Sequence, residues 1–172
     1  MKHDLVGRAH YNAGEPPTSR TTAMTEYRNP TPTVDAIIEL SDGRLVVIDR
    51  ANAPLGVAFP GGFVDEGESL EDACIREALE ETGLHIELIA LLGVYSDPKR
   101  DPRKHTVSAA FIARSAGLPM AGDDAASVRL VTPEELLTLP FVFDHRLMAQ
   151  DYLAWRTTRL AAPPRPSLQE SP

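Results

Sequence analysis

Two runs rich in β-branched residues, Thr33 to Leu40 and Arg44 to Arg50, flank Ser41-Asp42-Gly43. Apolar runs of this length on either side of a short Asp-Gly turn predict two core strands joined as a hairpin. A brief apolar stretch, Val57 to Phe59, runs into the corner Pro60-Gly61-Gly62. Beyond it Ser69 is placed to cap a helix that continues to Thr82, with Gly83 as its C-terminal stop. On that helix Leu70, Cys74, Ile75, Ala78, Leu79 and Thr82 form the side expected to dock on a sheet. Two more strands are predicted at Ile86–Tyr95 and His105–Arg114, separated by the charged, Pro-containing loop from Ser96 to Lys104. Val128–Val131 reads as a short strand. Thr132-Pro133-Glu134-Glu135 reads as a capping box with proline at the first helical position. A closing amphipathic helix spans His145–Leu160, with Tyr152 and Trp155 expected to pack it down. Strands mixed with few helices give the fold class α/β, a sandwich around a largely mixed sheet.

Composition narrows the class. At 172 residues, 42% of them hydrophobic, the chain is long enough for one domain with a real core. The polar stretch 1–26 reads as a flexible leader, 27–160 as the domain and 161–172 as a Pro-rich flexible tail. Twenty-five acidic residues against 17 basic give a net charge of −8, which opposes nucleic acid as a partner and favours a small ligand or a metal. One cysteine, Cys74, excludes an internal disulfide. No run reaches the length of a membrane span or a signal peptide, so no membrane partner is expected and a cytoplasmic location is.

The helix from Ser69 carries the chemistry. Glu77, Glu80 and Glu81 follow an i, i+3, i+4 spacing and fall within an arc of about 100° on one face. Neighbouring carboxylates repel when ionised, and a hard divalent cation relieves that repulsion. Mg²⁺ is the expected ion, with Mn²⁺ the alternative, and Glu68 just before the helix adds a fourth carboxylate. A solvated acidic face with an ordinary Arg76–Glu80 ion pair would be the plain explanation. It accounts for neither Gly61-Gly62 nor the position of Glu68.

The whole segment, Gly62-x₅-Glu68-x₇-Arg76-Glu77-Ala78-Leu79-Glu80-Glu81-Thr82-Gly83-Leu84, resembles the Nudix box at every defining position. That resemblance implies a Nudix-type α/β/α sandwich with a loop–helix–loop motif, and hydrolysis of a diphosphate linkage in a nucleoside diphosphate derivative. It also implies Glu77 and Glu81 as metal ligands, Glu80 as ligand or water-activating group, Glu68 as accessory ligand and Arg76 as the partner that orients them. Gly61 and Gly62 would let backbone approach a phosphate.

Downstream, Lys99, Arg100, Arg103 and Lys104 form a basic run on an acidic protein, suited to substrate phosphates. Together with Pro-Thr-Val-Asp before Ala36, Gly-Gly-Phe-Val-Asp at 61–65, Gly122-Asp123-Asp124-Ala125 and Phe143-Asp144-His145, it is similar to the ADP-ribose pyrophosphatase branch. That branch carries a marker proline downstream of the box, and Pro98 stands 14 residues beyond Leu84. The branch implies cleavage of ADP-ribose to AMP and ribose 5-phosphate, a homodimer, and a further acid outside the box, for which Asp124 ranks ahead of Asp123, Glu134 and Glu135. Nucleotide sugars, dinucleoside polyphosphates and oxidised nucleoside triphosphates are the competing substrates. A non-catalytic ADP-ribose-sensing regulator is the competing class, but the 12 residues beyond Leu160 are too few for its DNA-binding module.

Overall fold

In the computed structural model, residues 28–120 and 125–165 are described. The elements in chain order are β1 (Thr31–Leu40), β2 (Leu45–Arg50), β3 (Val57–Ala58), β4 (Gly61–Phe63), α1 (Leu70–Thr82), β5 (Glu87–Tyr95), β6 (Thr106–Ser115), β7 (Ala125–Val131), α2 (Pro133–Leu136) and α3 (His145–Thr158). The strands make one seven-stranded mixed sheet with the path β3-β2-β1-β6-β5, in which β4 also pairs with β1 and β7 with β2. Strand β1 runs parallel to β6 over its whole length and antiparallel to its other partners. The hairpin predicted around Gly43 exists but closes only beside its turn, at Glu39↔Leu45. Further up, β1 leaves β2 and accepts β4, with Asp35 opposite Gly61. That splaying opens the sheet where the cleft lies.

Helices cover both faces, as the α/β/α reading expects. Residues Ala73, Cys74 and Ala78 of α1 pack with Val34, Ala36, Ile38, Ala109 and Phe111 on one face. On the other, Met148, Ala149, Tyr152 and Trp155 of α3 pack with Ile37, Val47, Leu92 and Ile112. The caps are those read from the sequence: Ser69 accepts from the Asp72 N–H, Gly83 takes a left-handed conformation at φ 67°, and Thr132 and Glu135 form the capping box.

The buried side of α1 differs from the expected one. Leu70, Ile75 and Leu79 are exposed, whereas Ala73 and Glu81 are buried. The helix sits closer to the sheet over its small residues, which turns Glu81 inward and Ile75 and Leu79 out. Strand β4 was not expected; its two glycines read as a corner, yet Gly61 and Gly62 pair with β1. The segment after α3 is held at its start: the Ala162 N–H donates to the Leu92 carbonyl at 2.7 Å, and Arg165 forks onto Asp151. Asp123, Asp124 and the stretch 1–26 lie outside the described residues.

Candidate active site

A cleft of about 340 Å³ opens between α1, the splayed ends of β1 and β2, and the loop preceding α3. Its acidic wall is built by α1 and the corner beneath it. Glu81, only 7% exposed, accepts a 2.9 Å hydrogen bond from the Gly61 N–H. Gly61 has no room for a side chain, because a Cβ there would strike the β1 backbone at Val34 and Asp35. Gly62 lies against the Glu77 carboxylate, which a Cβ would displace. The two glycines therefore let the loop press onto the acids of the helix.

Arg76 organises the remaining acids. Its Nε and one terminal nitrogen donate to the two oxygens of Glu68, both at 2.9 Å. The other terminal nitrogen donates to Glu77 at 2.9 Å and Glu80 at 3.1 Å, and the Phe63 carbonyl accepts a fifth bond. One guanidinium thus ties helix and loop together through its planar fork. Glu77 and Glu81 line the cleft, whereas the Glu80 side chain, 57% exposed, lies toward solvent and Glu68 is turned onto Arg76. Among the described residues no three metal-binding side chains are gathered around one point.

Burial pushes the Glu81 carboxyl up to about 7, with the charge of Glu77 adding to the rise and the Gly61 N–H opposing it. Glu77 is raised too, chiefly by burial, against the pull of Arg76. Two adjoining carboxylates that resist ionisation in the absence of positive charge form a hard-oxygen donor pair suited to a divalent cation. This has a measurable consequence. Between about pH 4.5 and 7 the folded chain holds a proton on Glu81 that the unfolded chain has lost, so stability falls as pH rises, by on the order of 3 kcal/mol across the window. In metal-free buffer the thermal midpoint should drop from pH 5 to pH 8, more in the wild type than in Glu81→Gln, and Mg²⁺ should restore it at pH 8. Equal slopes in the two proteins would refute the assignment.

The cleft floor is a polar network centred on Asp35, whose part in the site was missed by sequence reasoning. Asp35, a buried carboxylate inside the apolar run of β1, accepts from the Ser108 hydroxyl. The His145 Nε2 lies 3.3 Å from the same carboxylate, and the Phe59 N–H donates to Nδ1 at 3.0 Å, which places the ring proton on Nε2. Burial lowers the His145 pKa, favouring this neutral form. Arg100, 4% exposed, is clamped by Asp144 at 2.8–3.1 Å and by Thr106, with Asp35 at 3.7 Å. Asp35 stood in the quoted Pro-Thr-Val-Asp motif, but no role for it was legible there.

The opposite wall is cationic and aromatic. Arg50, Arg103, Phe63 and Phe143 line it. Burial, and then the charge of Arg103, holds Arg50 below its ordinary value. Of the expected downstream substrate residues, Arg100 and Arg103 reach the cleft, while Pro98 and Lys99 do not line it. Glu134 and Glu135, considered as outlying acids, lie at α2 away from it.

Comparison with known proteins agrees with this geometry. The NUDIX domain family matches residues 29–152. An ADP-ribose pyrophosphatase of Methanocaldococcus jannaschii is 44% identical over 134 residues, 76% of this chain and 77% of that protein. The ADPR responsive transcriptional repressor NtrR of Acinetobacter baylyi is 32% identical over 142 residues, 76% of this chain but 56% of the repressor. Among solved structures, the NUDIX domain of Shewanella oneidensis NrtR complexed with ADP ribose superposes with a TM-score of 0.68 at 25% identity, covering 76% of this chain and 91% of that one.

Proposed function

Because the chain belongs to the Nudix family and is a Nudix hydrolase, we propose that its substrate is ADP-ribose, cleaved by water at the diphosphate to AMP and ribose 5-phosphate. Nudix hydrolases generally use divalent metal ions, and Mg²⁺ is the proposed ion here, held by Glu77 and Glu81, which line the cleft, while Glu68 and Glu80, expected as further ligands, are held on Arg76. When bound, such a cation polarises the phosphoryl oxygens and makes water more acidic.

The observation that carries the reading is one cleft with an acidic wall, for the cation and the reacting diphosphate, facing a cationic and aromatic wall for the rest of a nucleotide. The chain's own groups divide the work. Arg76 fixes Glu68, Glu77 and Glu80 before substrate arrives, so their reorganisation does not add to the barrier. The Gly61 N–H aligns Glu81. Glu81 lines the cleft beside Glu77, where its charge is available to the cation and its other oxygen to the attacking water. Arg50 supplies positive charge across the cleft, Arg103 with the aromatic rings faces the rest of the nucleotide, and Arg100 stiffens the wall from behind.

The 44% identity to an ADP-ribose pyrophosphatase favours ADP-ribose over other diphosphates. The test is purified protein with Mg²⁺ against ADP-ribose, nucleotide sugars, diadenosine polyphosphates and oxidised nucleoside triphosphates, with products identified by chromatography. AMP and ribose 5-phosphate in equal amounts, at a kcat/KM at least tenfold above the other substrates, is the expected result. Tight ADP-ribose binding with no turnover would instead make the domain a sensor. Faster cleavage of another compound would reassign the substrate.

A further inference from the structure

Among the described residues, only two non-glycine residues have positive φ, Arg159 at 61° and Phe143 at 54°. Arg159 is the left-handed C-cap of α3, where its N–H closes the helix onto the Trp155 carbonyl. Phe143 has no such explanation. A bulky aromatic residue is disfavoured in this conformation, in which glycine or asparagine sits with less strain. It precedes Asp144, whose carboxylate is committed to Arg100 rather than to capping α3. Strain of this kind persists where the side chain is needed, and the Phe143 ring lies in the wall of the cleft.

Its neighbours say what the ring is prepared to hold. The Arg50 guanidinium lies 5.0 Å from its centroid and that of Arg103 5.2 Å. Arg103 is also 5.9 Å from the Phe63 ring, over which Lys104 sits at 4.0 Å. Asp101 grips Arg103 through Nε and a terminal nitrogen at 3.0 and 2.8 Å. Those bonds lie in the guanidinium plane and set its tilt, leaving its faces to meet the rings. The wall thus sets guanidinium groups over aromatic rings, with the Phe143 ring also tilted against His145 at 5.3 Å. Simple phosphate binding calls for cations alone; interleaved rings suit a flat, electron-rich ligand.

We propose that Phe143, with the Arg103 guanidinium beside it, is the platform on which the nucleobase of the substrate stacks, making Phe143 the residue that selects nucleotides over base-free diphosphates. This deepens the diphosphate reading of the cleft and rests on it. The acidic wall then takes the diphosphate, and the base occupies the far side, so the two products should depend on Phe143 unequally.

Calorimetric titration of AMP and of ribose 5-phosphate, each with Mg²⁺, into the wild type, Phe143→Gly and Phe143→Trp decides it. Glycine relieves the backbone strain while deleting the ring; tryptophan keeps a π-face. AMP should bind Phe143→Gly on the order of tenfold more weakly than the wild type, Phe143→Trp should retain it, and ribose 5-phosphate should be indifferent to both changes. Should Phe143→Gly fail to fold, Phe143→Leu, which fills the space without a π-face, replaces it with the same expectation. Unchanged AMP affinity, equal loss for both products, or no AMP binding to the wild type overturns the platform. Hydrolysis of ADP-ribose by the wild type is scored in parallel. Turnover with AMP affinity unaffected at Phe143→Gly removes the platform and leaves the function; selective loss of AMP without ADP-ribose turnover leaves the platform and removes the substrate.

Discussion

Glu81→Gln should lower kcat for the diphosphate substrate by at least about a hundredfold while leaving the fold intact. The amide has the carboxylate's shape, and its oxygen can still accept the Gly61 N–H, so the buried contact with the loop survives. What disappears is a negative charge, and with it the ability to hold a cation or take a proton. Because the Glu81 carboxyl is held at about 7 by burial, its charged form is the costly one in the metal-free protein. The variant should therefore be as stable as the wild type at pH 5 and more stable at pH 8 without metal. Circular dichroism melts at the two pH values, beside single-turnover kinetics, separate these effects. Near wild-type turnover at saturating Mg²⁺ would remove Glu81 from the machinery. Lost turnover with a collapsed melt would mean that the carboxylate acts through the loop.

The parts of this site that were legible in the sequence are those fixed by neighbours close along the chain. Helix α1, its Ser69 cap, its Gly83 stop and the acids at 77, 80 and 81 follow from spacing alone. The depth at which the helix sits does not. Glu81 and Ile75 are both one step from the buried Ala78 side, and only the small residues Ala73, Cys74 and Ala78 against β1 and β6 decide that Glu81 goes in and Ile75 stays out. The opposite wall was less legible still. Arg50, Phe63, Arg103 and Phe143 come from four separate segments, brought together because β1 leaves β2 to pair with β4 and because the loop before α3 folds over the opening. Asp35 was quoted within a motif but given no role. A lone carboxylate in an apolar strand shows its purpose only once Ser108, Arg100 and His145 converge on it.

Arg100 and Arg103 stand three residues apart in one basic loop, and their substitution should have opposite signatures. Arg100→Ala is expected to destabilise the protein by about 3–5 kcal/mol, the range for breaking one side of a buried ion pair. Burial works against the charge of Arg100, yet Asp144 first, and then Asp35 and Asp101, hold its guanidinium above its ordinary value. Removing it leaves Asp144 without its fork, strands the Thr106 hydroxyl and sets Asp35 beside the cleft acids with less compensation. For a domain of this size the loss corresponds to roughly 10 °C in thermal midpoint. Arg103, with a side chain 41% exposed and paired to Asp101, should lose less than about 1 kcal/mol on replacement by alanine. The double variant Arg100→Met with Asp144→Leu discriminates further. An apolar pair of similar volume removes both charges together, so it should recover much of the stability lost in Arg100→Ala. If the double variant melts as low as Arg100→Ala, the ion pair is not what Arg100 contributes. If Arg100→Ala melts with the wild type, the buried network under the cleft is not holding that wall in place.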